Sequence, residues 1–253
     1  MAFAWASKVR IPLWALIVLA LTVWAIYVAD RLLDARRGIG TGKLSELRER
    51  HFFHLRFSRM LAPAAVLAIV CAACIVFAEM PAVIFERDSV VAAAALAYLR
   101  GVHFRSQSSP GLRNALARLL TKELLVGILF AAGCALPAWN RASSPAAVLA
   151  LPVAVFAALA WLDCHAIDRW EHDPDARQKN GIVPAACRVG LFAALTSMLV
   201  ASHQPRAAEL LIAGAVSALL FALLDRIRHR MTPLALRAVT DLVLLTPLAL
   251  VLR

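Results

Sequence analysis

The stretch IPLWALIVLALTVWAIYVADRLLDARR, residues 11–37, decides how the chain is read. Residues 11–29 carry no charge, and a helix of about 20 apolar residues is what crosses the hydrocarbon core of a bilayer. The run then stops on Asp30, Arg31, Asp34, Arg36 and Arg37, so a membrane helix ends here in a polar motif.

Seven further runs repeat the apolar pattern, at about 60–79, 89–104, 122–139, 145–163, 182–202, 207–224 and 234–252, with 89–104 the shortest. Together they predict an all-α fold, a polytopic membrane bundle of about eight transmembrane helices forming one domain over 1–253. Composition agrees. Of 253 residues, 62% are apolar and 17% charged, whereas a water-soluble globular domain carries roughly a quarter charged residues. The five cysteines fall mostly inside the runs and are odd in number, which fits neither a disulfide framework nor a paired zinc site.

Lys and Arg collect on the cytoplasmic side of span ends. With alternating loops, 21 of the 27 basic residues lie on one side and 6 on the other. That asymmetry predicts both termini outside and the connections 30–59, 100–121 and 164–181 in the cytoplasm, with the bacterial inner membrane as the expected location. A signal peptide is the competing reading of residues 1–29, but a small-x-small cleavage site is lacking. The net charge of +11 follows from this topology and from attraction to anionic headgroups, which makes membrane lipids the expected surroundings. Nucleic acid is not an expected partner, because the basic residues are spread over four short loops without interleaved aromatic platforms.

The acids gather at two span ends. Asp30 and Asp34 lie one helical turn apart on one face, where two carboxylates repel unless a cation stands between them. Two readings follow, a metal site or a salt-bridge ladder with Arg31, Arg36 and Arg37. The second group is WLDCHAIDRWEHDPD, residues 161–175, with Asp163, Asp168, Glu171, Asp173 and Asp175 beside His165 and His172. His165, Asp168, Glu171 and His172 share a helical face until Pro174 ends the helix. His165, Asp168 and His172 suit a transition metal, and the oxygen-rich cluster suits Mg²⁺ better. Solvated acids beside a basic loop are the plainer reading. The two groups also resemble each other, with Ala29-Asp30-Arg31 matching Ile167-Asp168-Arg169 after a Trp-containing run.

On these residues the chain resembles the UbiA superfamily of intramembrane prenyltransferases. That family is an all-α bundle of about nine spans with two Asp-rich motifs, N-D-x-x-D-x-x-x-D and D-x-x-x-D. Asp30, Arg31 and Asp34 match the later part of the first motif, while Ile26 and Tyr27 replace its Asn and leading Asp. Asp168 matches the start of the second, Glu171 comes one residue early, and His172 takes the second Asp's place. The order of elements corresponds if the first family span is missing here. The resemblance implies Mg²⁺-dependent transfer of a polyprenyl group from a prenyl diphosphate to an aromatic or other lipophilic acceptor. It implies Asp30, Asp34, Asp168 and Glu171 as catalytic, and these with Asp163 as the metal ligands. Acids cannot hold a diphosphate directly, but Mg²⁺ bridges to its oxygens, and Arg31, Arg118, Lys122 and Arg169 are the cationic residues expected to contact it. Lys122 stands where the family has Tyr-Pro-x-x-Lys-Arg, though the Tyr and Pro are absent and Glu123 replaces the Arg. A non-catalytic relative that binds lipid or a partner is the alternative.

Other polar residues have plainer explanations. Asp241, inside the last run, is expected to pair with Arg237 one turn away, with a transporter role as the rival reading. Glu79, Glu86 and Asp88 are expected to mark an external loop. His51 and His54 are expected to meet lipid headgroups. The GIGTG sequence at 38–42 lacks the Gly-Lys-Ser/Thr ending of a phosphate loop and is expected to be a flexible turn.

Overall fold

In a computed structural model of the chain, residues 1–40, 49–103, 122–142, 147–172 and 181–252 are described. All regular structure among them is helical. The helices are α1 (Ala2–Ala6), α2 (Leu13–Gly40), α3 (Glu49–Arg56), α4 (Ser58–Glu79) and α5 (Ala82–His103). They continue with α6 (Lys122–Trp139), α7 (Ala147–His172), α8 (Ile182–Ala201), α9 (Pro205–Ile227) and α10 (Pro233–Leu244). Short 3₁₀ turns cover Arg228–Arg230 and Thr246–Leu250.

Each of the eight apolar runs falls on a helix, but among the described residues five segments are long and apolar enough to cross a membrane. They are Leu13–Gly40, Ser58–Glu79, Leu149–Trp170, Ile182–Ala201 and Pro205–Arg230. The apolar part of α6, Glu123–Trp139, is shorter. Two of the remaining runs differ from expectation for identifiable reasons. Pro247 cannot donate a backbone hydrogen bond, and the last run breaks into the 12-residue α10 and a 3₁₀ turn containing that proline. At the third run, α5 starts directly after Pro81, so Glu86 and Asp88 lie within a helix and Glu79 closes α4, where a loop was expected. Likewise α2 continues through Gly38 and Gly40, so the expected turn is helical as far as residue 40. The prolines inside α4, α6 and α7 (Pro63, Pro137, Pro152) each remove one intrahelical hydrogen bond.

The chain divides into two compact units, Pro12–Ser108 and Met1–Ile11 with Ser109–Arg253. In the first, α2 packs along α4, and α3 and α5 also touch α2. Its core is a stripe of Ala25, Val28 and Leu32 on α2 against Ala65 and Ala68 on α4. The 3- and 4-residue spacings place each set on one helix face, while Leu13, Ile17, Met60, Val66, Leu67 and Phe77 stay exposed. An apolar exterior on helices of this length is what lipid contact requires.

In the second unit α9 is the most enclosed of the five long segments. It packs on α7, α8 and α10 through a core that includes Leu159, Leu162 and Ala166 of α7, Ala186 and Ala193 of α8, and Leu211, Ala218 and Phe221 of α9. Small residues let helix backbones approach where lipid gives no hydrophobic drive to associate. One such close approach is at Gly127 of α6, where an added Cβ would lie 2.7 Å from the Ala157 carbonyl oxygen and 2.8 Å from the Trp161 nitrogen of α7. At Gly190 of α8 it would meet the Ala218 Cβ at 3.4 Å. The N-terminal helix α1 buries Phe3, Ala4 and Ala6. It is held by an edge-to-face contact of Phe3 with Phe156, and by Arg206, which donates to the Trp5 carbonyl and lies over the Trp5 ring.

Buried hydroxyls follow the same rule of internal satisfaction. Thr196, Ser197 and Ser217 donate to carbonyls three or four residues earlier in their own helices, at 2.7–3.1 Å, so each can sit in an apolar core without an orphaned donor.

Two stability outcomes follow. Gly127→Ala forces backbone apart and is expected to cost about 1–3 kcal/mol, while Gly190→Ala, meeting one methyl at contact distance, stays within about 1 kcal/mol. Thermal unfolding of both proteins in detergent, followed by helical circular dichroism, checks the contrast. Lys8 closes α1 with φ of 58°, and the Val9 N–H bonds back to the Ala4 carbonyl at 3.0 Å. A side chain is strained in that conformation, so Lys8→Gly is expected to raise stability by about 0.5–1 kcal/mol in the same assay.

Candidate functional site

The first acidic motif occupies the last turns of α2, beyond its apolar run. The Arg31 guanidinium reaches both acids, Nη2 to Asp30 Oδ2 and Nη1 to Asp34 Oδ2, each at 3.8 Å. Its charged carbon also stands 5.3 Å from the centre of the Tyr27 ring. Four residues on one helix face thus form a single cluster of alternating charge over an aromatic base. Of the expected ladder, Arg31 takes part and Arg36 is exposed; the side chain of Arg37 lies outside the described residues.

His54 belongs to this cluster, a position that the sequence reading assigned to headgroups. It is 7% exposed, and its ring meets Tyr27 edge-on at 5.7 Å and Phe53 at 5.6 Å. The reason is the orientation of α3, which turns Phe52, Phe53, Arg56 and Phe57 outward and His54 inward toward α2. A lone polar residue within an aromatic run was the available signal, but His51 three residues earlier carried the same one.

The second motif lies on the last turns of α7. Asp163 and Asp168 are five residues apart, about 140° around a helix, so they point in different directions. Asp168 and Arg169 are exposed, whereas Asp163 is buried. His165 stacks on Trp161 with ring centres 5.3 Å apart and planes 13° from parallel. Glu123, at the start of α6, interacts electrostatically with His165, as do Asp168 and Arg169. The first turn of α6, which begins at Lys122, is therefore brought to the acidic end of α7. Arg118 and the side chains of Lys122, Glu171 and His172 lie outside the described residues.

Asp225, on α9, was not singled out from sequence. It accepts a 2.7 Å hydrogen bond from Trp170 Nε1 and stands 3.8 Å from Arg228. This fixes the end of α7 against the end of α9 across 55 residues of sequence, a separation at which helical spacing carries no information. Asp163 meets α10, where Thr240 is within hydrogen-bonding reach and Asp241 is its electrostatic neighbour. Arg237 acts in turn on Asp241, the pairing expected from their spacing.

Among the described residues, no three His, Cys, Asp or Glu side chains converge as a metal-holding group. Asp30 and Asp34 offer two carboxylates, which is the donor set Mg²⁺ takes when phosphate oxygens and water complete its shell. In the same unit an apolar groove of about 490 Å³ runs between Leu13, Trp14 and Ile17 of α2 and Cys74, Ile75, Ala78 and Glu79 of α4. It lies about 20 Å along α2 from Asp30. Comparison of the chain with family models, curated proteins and solved structures finds no match.

Trp170→Phe keeps the ring packed and removes the bond to Asp225. A hydrogen bond to a charged group is worth about 1.5–3 kcal/mol, so the variant is expected to melt several degrees lower than the parent in detergent, with its helix content at low temperature unchanged.

Proposed function

We propose that this membrane protein is a Mg²⁺-dependent prenyltransferase that moves a polyprenyl group from a prenyl diphosphate to an aromatic or other lipophilic acceptor. The observation that carries the reading is the Asp30–Arg31–Asp34 cluster, two carboxylates sharing one guanidinium immediately beyond an apolar helix of spanning length. A prenyl diphosphate has the same division, a polyanionic head on an apolar chain.

Asp30 and Asp34 would hold the metal, with Asp168 and Glu171 as the corresponding acids of the second motif. Bound there, Mg²⁺ would neutralise diphosphate oxygens and stabilise the leaving group. Arg31 already lies against both acids, so it can turn from them to phosphate oxygens without leaving the site. Tyr27, which lies beside that guanidinium and packs on His54, restricts where it can go. Arg169, exposed beside Asp168, would supply positive charge at the second motif, with Lys122 as the further cation that the resemblance implies.

A non-catalytic lipid- or partner-binding protein is the second reading, and one observation favours it. Arg31 reaches both acids, so a cation of the chain itself already stands where a metal would otherwise separate the two carboxylates. The readings separate in reconstituted protein given Mg²⁺, a prenyl diphosphate and a panel of aromatic acceptors. Prenyl transfer that falls at least about 100-fold in Asp30→Asn and in Asp168→Asn is expected. Transfer unchanged in both variants would overturn the acid assignment. Thermal stabilisation by Mg²⁺ and prenyl diphosphate without any product would leave the binding reading in its place.

A further inference from the structure

Asp163 is an acid with too few donors. It is 8% exposed, on the membrane-spanning part of α7, and its Oδ1 is buried without a hydrogen-bond partner. Its carboxylate is directed at α10, where Thr240 is fully buried. The Thr240 hydroxyl has one proton to give, and the Arg237 carbonyl oxygen accepts it at 2.8 Å. At most one of that carbonyl and Asp163 can therefore be served by Thr240. The charge beside Asp163 is a second carboxylate, Asp241, and the cation near Asp241 is Arg237 one turn back on α10. With both carboxylates ionised, Asp163, Asp241 and Arg237 carry one net negative charge at the contact of α7 with α10.

The geometry points to Asp163, Thr240 and Asp241 as a binding site for one small monovalent metal cation, of which Na⁺ is the representative. The available donors are all oxygens, two carboxylates and a hydroxyl, which suits a hard cation. The charge balance selects its valence. A single positive charge neutralises the group within an apolar bundle, whereas a divalent ion would leave an uncompensated positive charge there. Asp163 provides the enclosed end of the site, and Asp241, which is exposed, provides the side from which an ion enters. This site is separate from the Asp30–Asp34 pair and does not depend on prenyl transfer. Its effect is to tie α10 to α7 when the cation is bound.

The test uses the full chain purified in detergent, in NaCl or choline chloride at equal ionic strength and fixed pH. Na⁺ is expected to raise the melting temperature in a saturable manner that choline does not reproduce, and radioactive ²²Na⁺ is expected to bind at about one ion per chain. Asp163→Asn and Asp241→Asn are expected to abolish both effects, and Thr240→Val, which keeps side-chain volume, to weaken Na⁺ affinity about tenfold. Equal melting in the two salts together with absence of saturable ²²Na⁺ binding overturns the site. So does Na⁺ stabilisation that persists unchanged in both Asn variants. A melting temperature that responds to acidification but not to Na⁺ overturns it as well, since the proton then fills the role assigned to the metal. If either Asn variant fails to fold, the Na⁺ and choline arms on the parent protein, with Thr240→Val, still decide.

Discussion

A peptide group that enters a bilayer must find its hydrogen-bond partner inside the chain, because lipid offers none. Most of this structure is a consequence of that condition. It makes every apolar run helical, it sends the hydroxyls of Thr196, Ser197 and Ser217 back to their own helix carbonyls, and it restricts most charge to helix ends. Association between helices then rests on close fit. The Gly127 contact with the α7 backbone and the small residues of α8 against α9 are places where that fit is close.

Against this background the acids that are not fully solvated stand out by how each is compensated. Asp30 and Asp34 share Arg31. Asp225 has the Trp170 N–H and the Arg228 guanidinium. Asp163 has one contested hydroxyl and a neighbouring carboxylate. Charges in an apolar medium are retained when they are paired or when they act, and of these acids Asp163 is the one with a buried oxygen that no donor reaches.

The helices and the local grouping of acids were legible in the sequence because both are short-range patterns. Twenty apolar residues predict a span wherever they occur, and a four-residue interval predicts a shared face, as Asp30 and Asp34 show. The boundaries were less legible where one proline overrode composition, as at Pro247 and Pro81. Contacts between distant segments were not legible at all. The burial of His54 against Tyr27, the bond from Trp170 to Asp225 and the turning of Asp163 toward Thr240 depend on which helices become neighbours, and residues 54, 225 and 240 carry no local mark of it. The packing of α1 was hidden for a similar reason, since five residues are too few to show a period.

The helical placement of Glu86, Arg87 and Asp88 has a consequence for the bilayer. With three consecutive charged residues in its first turns and Arg100 near its end, α5 keeps only residues 89–99 free of charge. Eleven residues of helix measure about 16 Å, against a hydrocarbon core of about 30 Å. Wherever α5 spans, water and headgroups must follow those charges inward, or the two leaflets must thin by several ångströms around it.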